Sequence, residues 1–399
     1  SSANALVLLG ISYFLLQQPI TPEDEYLVIK FTSALKNIGL GLEEKPPRKD
    51  YLFVNVAYAK TLIPKYDESG IFPVGNQAIT DRGKIASLLQ KLNQYPESYR
   101  YILCDIHFKG ESPQDSLLAE QLQHTENIVA SYHYNPQEQQ YEYPIFEVNR
   151  GLADYQEHKE SILKKSEGFL KYRLLLHDSV KSLPLVMYQD LTGAKWDRGT
   201  FFYRIDGKPL FNSFILNFRI RNHDLFESKT PYPTITIDDL LLMDANTLAG
   251  FVKGRIIVLG DFTDRDLHDT IYGKTPGSLI LVNAYLALAY GDNAVRFGLV
   301  VVLYCVFFLL TLLALYPQKF VKDWVVDNLK VKAQWVKYLF DFMAYFVMLA
   351  LVSVGSFFLY NIHLNVFFLA LEIHLLSRLA LWGYKKAGIT PGKHGKAIQ

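Results

Sequence analysis

Gly254-Arg-Ile-Ile-Val-Leu-Gly260-Asp261-Phe-Thr263-Asp264-Arg265-Asp266-Leu-His268-Asp269-Thr270 decides how the middle of the chain is read. Its first part, Arg255-Ile-Ile-Val-Leu259, is a short aliphatic run bounded by glycines. That is the pattern of a strand buried on both faces of an α/β sheet. Its second part places four carboxylates and an imidazole directly after that strand. In open α/β sheets ligands bind beyond the carboxyl ends of strands, so Asp261, Asp264, Asp266, His268 and Thr270 are candidate ligand-binding residues. Four Asp and a His have the chemistry for a hard cation or an acid/base pair. Asp and Thr in this position also close turns onto their own backbone, and the run lacks the glycine spacing of a calcium loop. Both readings stay open at this stage.

Outward from this stretch, strand-like and helix-like runs alternate over residues 50–295. Strands are expected at Tyr51–Tyr58, Tyr101–Ile106, Asn127–His133, Phe214–Ile220 and Gly254–Leu259. Helices are expected at Arg82–Leu92, Gln114–Leu122, Glu157–His177, Asp238–Leu248 and Leu279–Tyr290. Alternation of this kind predicts an α/β domain with a mainly parallel or mixed sheet. Asp105 and His107 close the second strand run, share a face by alternation, and are the next candidate site residues at the same sheet edge.

The two ends of the chain are of a different kind. Phe297 to Tyr316 is 20 residues without a charge and Phe342 to Tyr360 is 19, each matching the roughly 20 residues a helix needs to cross the hydrocarbon. His363 to Tyr384 is mostly apolar but carries Glu372, His374 and Arg378. At the N-terminus Ala5 to Leu16 is strongly apolar with no initiator Met and no basic flank, and reads as a truncated membrane helix. The connection 317–337 holds Lys319, Lys322, Lys330, Lys332 and Lys337, and the tail holds Lys385, Lys386, Lys393 and Lys396. Basic residues collect on the cytoplasmic side. The expected organisation is a transmembrane helix at 1–20, an extracytoplasmic domain at 21–296, three transmembrane helices at 297–385 and a cytoplasmic tail at 386–399. In a cell with two membranes this is an inner-membrane protein with a periplasmic domain and both termini cytoplasmic. The fold class is then an α/β extracytoplasmic domain plus an α-helical membrane domain.

Charge and composition exclude some functions. A net charge of +1 over 399 residues, with no basic run interleaved with aromatics, argues against nucleic acid as a partner. Cys104 and Cys305 fall in a strand run and a membrane run, so no disulfide, cysteine metal site or cofactor is expected. No nucleophile elbow, phosphate loop or His-Glu-x-x-His occurs, which argues against an enzyme. The 26 tyrosines are compatible with contacts to protein or glycan. Glu372 lies near the middle of its hydrophobic stretch, where a charge costs roughly 2.5–3.5 kcal/mol and demands a partner. His374 and Arg378, four apart, share a helix face, and Asp341 at the start of the preceding helix is within reach of Arg378. These four residues are expected as polar contacts between membrane helices or to another subunit.

Four stretches resemble the second type of CHASE domain, the extracellular sensor module associated with cyclases and histidine kinases. Tyr101-Ile-Leu-Cys-Asp105-Ile-His-Phe108 followed by Asp115-Ser-Leu-Leu-Ala119 is similar to the family's strand and Asp-x-x-Leu-Ala helix. Ser182-Leu-Pro-Leu185 and Phe214-Ile-Leu-Asn217-Phe-Arg219 resemble its Ser-Leu-Pro helix start and its central strand. Gly254–Gly260, Asp266-Leu-His-Asp-Thr270, Pro276-Gly277 and Asn283-Ala284 are similar to its closing strand, Asp-x-x-x-Thr loop and Pro-Gly…Asn helix. The resemblance implies one membrane helix before the domain and three after it. Asn55 stands where the family has an Asp-Glu pair, Phe72-Pro73 where a Trp-Pro is common, and Ile271 follows Thr270 where Pro is expected. Relatives continue into a cytoplasmic kinase or cyclase, whereas this chain stops about 15 residues after its last helix.

The leading expectation is a non-catalytic membrane sensor or scaffold subunit, embedded in the lipid bilayer. Its outer domain would bind an unidentified small molecule or an envelope protein, and its helices would dock on another membrane protein. A metal-assisted hydrolase using Asp261, Asp264, Asp266 and His268 with Asp105, and an accessory subunit of a transport complex, are the alternatives.

Overall fold

The structure is a computed structural model that describes residues 1–17, 23–42, 44–66, 71–154, 171–176, 179–199, 202–263, 265–315 and 334–386. Asp264, most of the basic connection and most of the tail lie outside the described residues.

The outer domain is built on a seven-stranded mixed sheet. Its order is Thr234–Thr236, Tyr51–Asn55, Ile256–Gly260, Tyr101–Cys104, Ile128–Asn135 and Gln140–Glu142, with Arg150–Leu152 also pairing with Ile128–Asn135. All pairs are parallel except the one made by Gln140–Glu142. Tyr51–Asn55, Ile256–Gly260 and Tyr101–Cys104 are buried at every position, and apolar but for Asn55, because both faces are covered. Phe53, Leu103, Val129 and Val258 face the helices Leu183–Thr192 and Gly277–Tyr290. Leu52, Val54, Ile102 and Ile257 face Arg82–Asn93, Asp115–Gln123 and the short helices Ile237–Leu241 and Ala245–Val252. Arg82–Asn93 starts at Asp81, whose carboxylate accepts from the Lys84 amide, and buries Ile85, Leu88, Leu89 and Leu92 at the expected spacing.

Three expectations are corrected. The helix read over Asp238–Leu248 breaks at Asp244, which caps a new helix by accepting from the Thr247 amide. The helix read over Glu157–His177 lies largely outside the described residues, but its end is extended. Lys171–Arg173 pairs antiparallel with Ser213–Ile215 and Leu175–Leu176 with Val180–Lys181, so ladder pairing outweighs the helical periodicity there. Phe214–Ile220 is not a central strand: only Ser213–Ile215 is extended ladder, outside the main sheet. Farther on, the Asn283 amide replaces a neighbouring strand, accepting from the Ile220 amide at 3.0 Å and donating to the Ile220 carbonyl at 2.8 Å. A hairpin of Lys60–Tyr66 with Pro73–Thr80, absent from the sequence reading, overhangs the sheet edge.

Apolar helices Ser2–Gln17, Phe297–Leu315, Gln334–Tyr360 and Val366–Lys386 pack together through Leu8, Leu303, Phe307, Leu349, Leu369 and Ile373. Among the described residues two segments are long and apolar enough to cross a membrane: Phe297–Leu315, mean hydropathy 2.8, and Tyr338–Tyr360, mean hydropathy 2.2. The last helix begins at Val366 rather than His363 because residues 361–365 form a turn with Asn361 at φ 58°.

A helix at Glu23–Ser33, running on through Ala34–Gly39, was not anticipated and ties this turn to the domain. The Thr32 hydroxyl is hydrogen-bonded to His363 Nε2 at 2.7 Å, and Lys36 donates to the Phe357 carbonyl and to Asn361. Asn361 donates to Asp292 at 2.7 Å, and both Asp292 carboxylate oxygens accept from Arg219 Nη2, at 2.8 and 2.9 Å. One continuous polar chain therefore joins the outer domain, the segment before Phe297, the 361–365 turn and the Glu23–Gly39 helices.

Candidate functional site

The sheet's parallel strands end together at a cleft of about 660 Å³. Val56 follows the first strand, Asp105 and His107 the Tyr101–Cys104 strand, Asp261 and Asp266 the Ile256–Gly260 strand, and His133 lies on Ile128–Asn135. The 60–80 hairpin closes one side through Lys60, Gln77 and Thr80, and the first turns of Gly277–Tyr290 close another. This is the place the carboxyl-end rule assigns to ligands.

Two glycines shape the wall. A Cβ at Gly260 would collide with Ser278 Oγ, and one at Gly277 with the Asp266 carboxylate. The Pro-Gly and Asp-x-x-x-Thr signatures thus belong to one packing arrangement. Asp266 lies against the start of the Gly277 helix, where its charge is favoured by the helix dipole.

Of the anticipated residues, Asp105, His107, Asp261, Asp266 and His268 line the cleft. The rest of the acidic run diverges. Thr270 is part of the Leu267–Thr270/Gly273–Pro276 hairpin, where its hydroxyl donates to the Gly273 carbonyl at 2.9 Å. Asp269 pairs with Lys274 at 2.9 Å, and Asp261 accepts from the Thr263 amide in its own turn at 3.1 Å. Among the described residues no three His, Cys, Asp or Glu side chains meet as a metal centre.

What fills the floor instead is a carboxylate and imidazole cluster. Asp266 is hydrogen-bonded to His268 Nε2 at 2.9 Å, and Asp154 to His133 Nδ1 at 2.7 Å. His133 stands edge-on to His107 with ring centres 4.8 Å apart. Burial and then the nearby Asp266 carboxylate push Asp105 up to about 7, against the opposing pull of His133. Burial works to lower His133, but its bond to Asp154 and the charges of Asp154, Asp105 and Asp266 prevail and raise it. His107 is lowered by burial and by His133. At the mouth, burial lowers Lys60, with Asp261 opposing and Arg265 adding to the effect. Lys109 is matched by Glu142 at 2.5 Å.

His133, Asp154, Lys60 and Arg265 were missed as site residues. His133 carried a usable signal, since it closes a strand run as Asp105 does. Asp154 and Lys60 did not, because the elements presenting them were unread. Asn55 is a brace at the end of its strand: its side-chain oxygen accepts from the Ala57 amide at 3.0 Å and the Phe262 amide at 3.4 Å.

Among the apolar helices, Arg378 is ion-paired to Asp341 and lies 3.8 Å from the Tyr338 ring centre. His374 packs edge-on to Phe342. Glu372 has Asn4 of the first helix beside its carboxylate, and among the described residues its Oε2 is buried with no hydrogen-bond partner. Asn4 also donates to Thr311 at 3.1 Å.

A family model, the CHASE2 domain, matches residues 53–315, well over half of the chain. No curated protein and no solved structure matches it. The match spans the whole mixed sheet, the cleft and the first long apolar helix, so the chain belongs to the CHASE2 family of extracellular sensor domains.

Proposed function

We propose that this chain is a non-catalytic sensor or scaffold subunit of a membrane assembly, in which the cleft takes up a small molecule or a segment of an envelope protein. In this reading all four apolar helices cross the bilayer and both termini are cytoplasmic. The division into residues 1–20, 21–296, 297–385 and 386–399 follows from it, and in a two-membrane cell the domain is periplasmic.

The observation that carries the proposal is the physical continuity between cleft and membrane helices. Gly277 and Leu281 line the cleft, and their helix runs to Tyr290. Two residues later Asp292 joins Arg219 to Asn361 of the turn between the last two long helices. A ligand that moves the Gly277 helix relative to the sheet also loads this polar chain.

The route onward is contact with another membrane protein, for which Glu372 Oε2 is the proposed attachment point. A buried carboxylate oxygen at that depth with no partner among the described residues is costly, and a donor from a neighbouring subunit removes the cost. Affinity purification of the tagged full chain in mild detergent tests this. A stoichiometric membrane partner is expected, and Glu372→Gln should lose it while leaving the chain's own melting within about 2 °C. A chain that always purifies alone refutes the subunit role.

A further inference from the structure

We infer that the cleft selects a zwitterion: a free α-amino acid or short peptide with its ammonium group held at the Asp105 end and its carboxylate at the Lys60 and Arg265 end. This rests on the reading of the cleft as the ligand site and adds the class of ligand. The charges in the cleft are unevenly distributed. On the floor Asp105, Asp154 and Asp266 meet the imidazoles of His133 and His268, each hydrogen-bonded to a carboxylate, while burial and His133 hold His107 toward its neutral form; once Asp105 is ionised the floor is negative even with the two carboxylate-bound rings protonated. At the hairpin side Asp261 is, among the described residues lining the cleft, the carboxylate beside Lys60 and Arg265, so two cations face one anion there. Lys109 belongs to neither end, since Glu142 already balances it.

Each end is desolvated enough to favour a counter-charge. Lys60 is half-buried and depressed by burial and by Arg265, a state that an incoming carboxylate relieves. Asp105 sits under burial and the charge of Asp266, and an ammonium group compensates both carboxylates at once. A cleft of about 660 Å³ is within the range used for small ligands and accommodates an amino acid or short peptide. Opposed charges at two ends of one cleft confer orientation and selectivity against singly charged molecules.

The test uses the purified full chain in mild detergent, with thermal melting and calorimetric titration. The probes are a panel of free amino acids and simple dipeptides, together with their N-acetyl and C-amide forms. At least one free compound should bind, and blocking either end should weaken it by about tenfold or more, the loss of one charge-assisted contact. Arg265 is exposed, so Arg265→Gln leaves the fold intact. It should weaken the free dipeptide but not its amide, whereas Asp105→Asn should weaken the free form but not the acetyl form. No binding by any free compound at millimolar concentration overturns the proposal, as does equal binding of free and blocked forms. A singly charged compound that binds the cleft and is lost in Asp105→Asn overturns the zwitterion and leaves the sensor reading standing. A chain that binds a dipeptide but has no membrane partner does the reverse.

Discussion

Replacing Asp292 with Ala tests the link between the α/β domain and the apolar helices. The Asp292 side chain is 4% exposed and that of Arg219 8%, so the substitution strands a guanidinium with almost no access to water. It removes two bonds to Arg219, at 2.8 and 2.9 Å, and the 2.7 Å bond from Asn361. Among the described residues Arg219 keeps a bond to the Glu44 carbonyl and its stacking at 4.1 Å on Tyr290. Breaking a buried pair in this way costs about 3–5 kcal/mol, because the surviving charge is uncompensated. For a domain of this size that lowers the melting temperature by on the order of 10 °C. Arg219→Met combined with Asp292→Leu removes both charges together and should recover most of the loss. The assay is thermal melting of the full chain in mild detergent, followed through its tryptophans. A single variant that melts within about 2 °C of the parent, or a double variant worse than the single, refutes the argument.

Asp105→Asn should change the pH dependence of stability. A carboxyl raised from 3.8 to about 7 binds its proton more tightly when folded. The parent is therefore stabilised by this group below about pH 4 and loses that contribution as pH rises through 7, and the variant lacks this decline. Melting curves from pH 4 to 8 read the difference directly, and parallel curves would count against the burial of Asp105. Gly260→Ala drives a methyl into Ser278 at the cleft wall and should cost about 1–3 kcal/mol, seen as a lowered denaturation midpoint. Thr270→Val, in contrast, lies away from the cleft in the hairpin. It should lower stability by about 1 kcal/mol through the lost hydroxyl bond while leaving dipeptide affinity unchanged.

Much of the architecture is carried by local patterns. Burial on both faces makes Ile256–Gly260, Tyr51–Val54 and Tyr101–Cys104 continuously apolar, so these strands and the α/β class can be read from residue types alone. Charge-free length marks Phe297–Leu315 in the same way, and the run from Phe342 to Tyr360 marks the second long helix. The signature residues Asp105, Asp266 and Gly277 were readable, and with them the family. The pairing of Asp341 with Arg378 was within reach because both sit near one end of adjacent helices.

Composition of the cleft depended on tertiary structure. Strand order places Tyr101–Cys104 between Ile256–Gly260 and Ile128–Asn135, and that order brings Asp105, Asp266, His133 and Asp154 into one electrostatic cluster. No spacing along the chain encodes it, since these residues are up to 161 positions apart. The hairpin supplying Lys60 and the Glu23–Gly39 helices bound to the 361–365 turn have weak local signals and are held by contacts across the fold. The acidic run at 261–269 shows the converse: residues adjacent in sequence point to different partners, because the hairpin at Leu267–Thr270 turns alternate side chains to opposite faces.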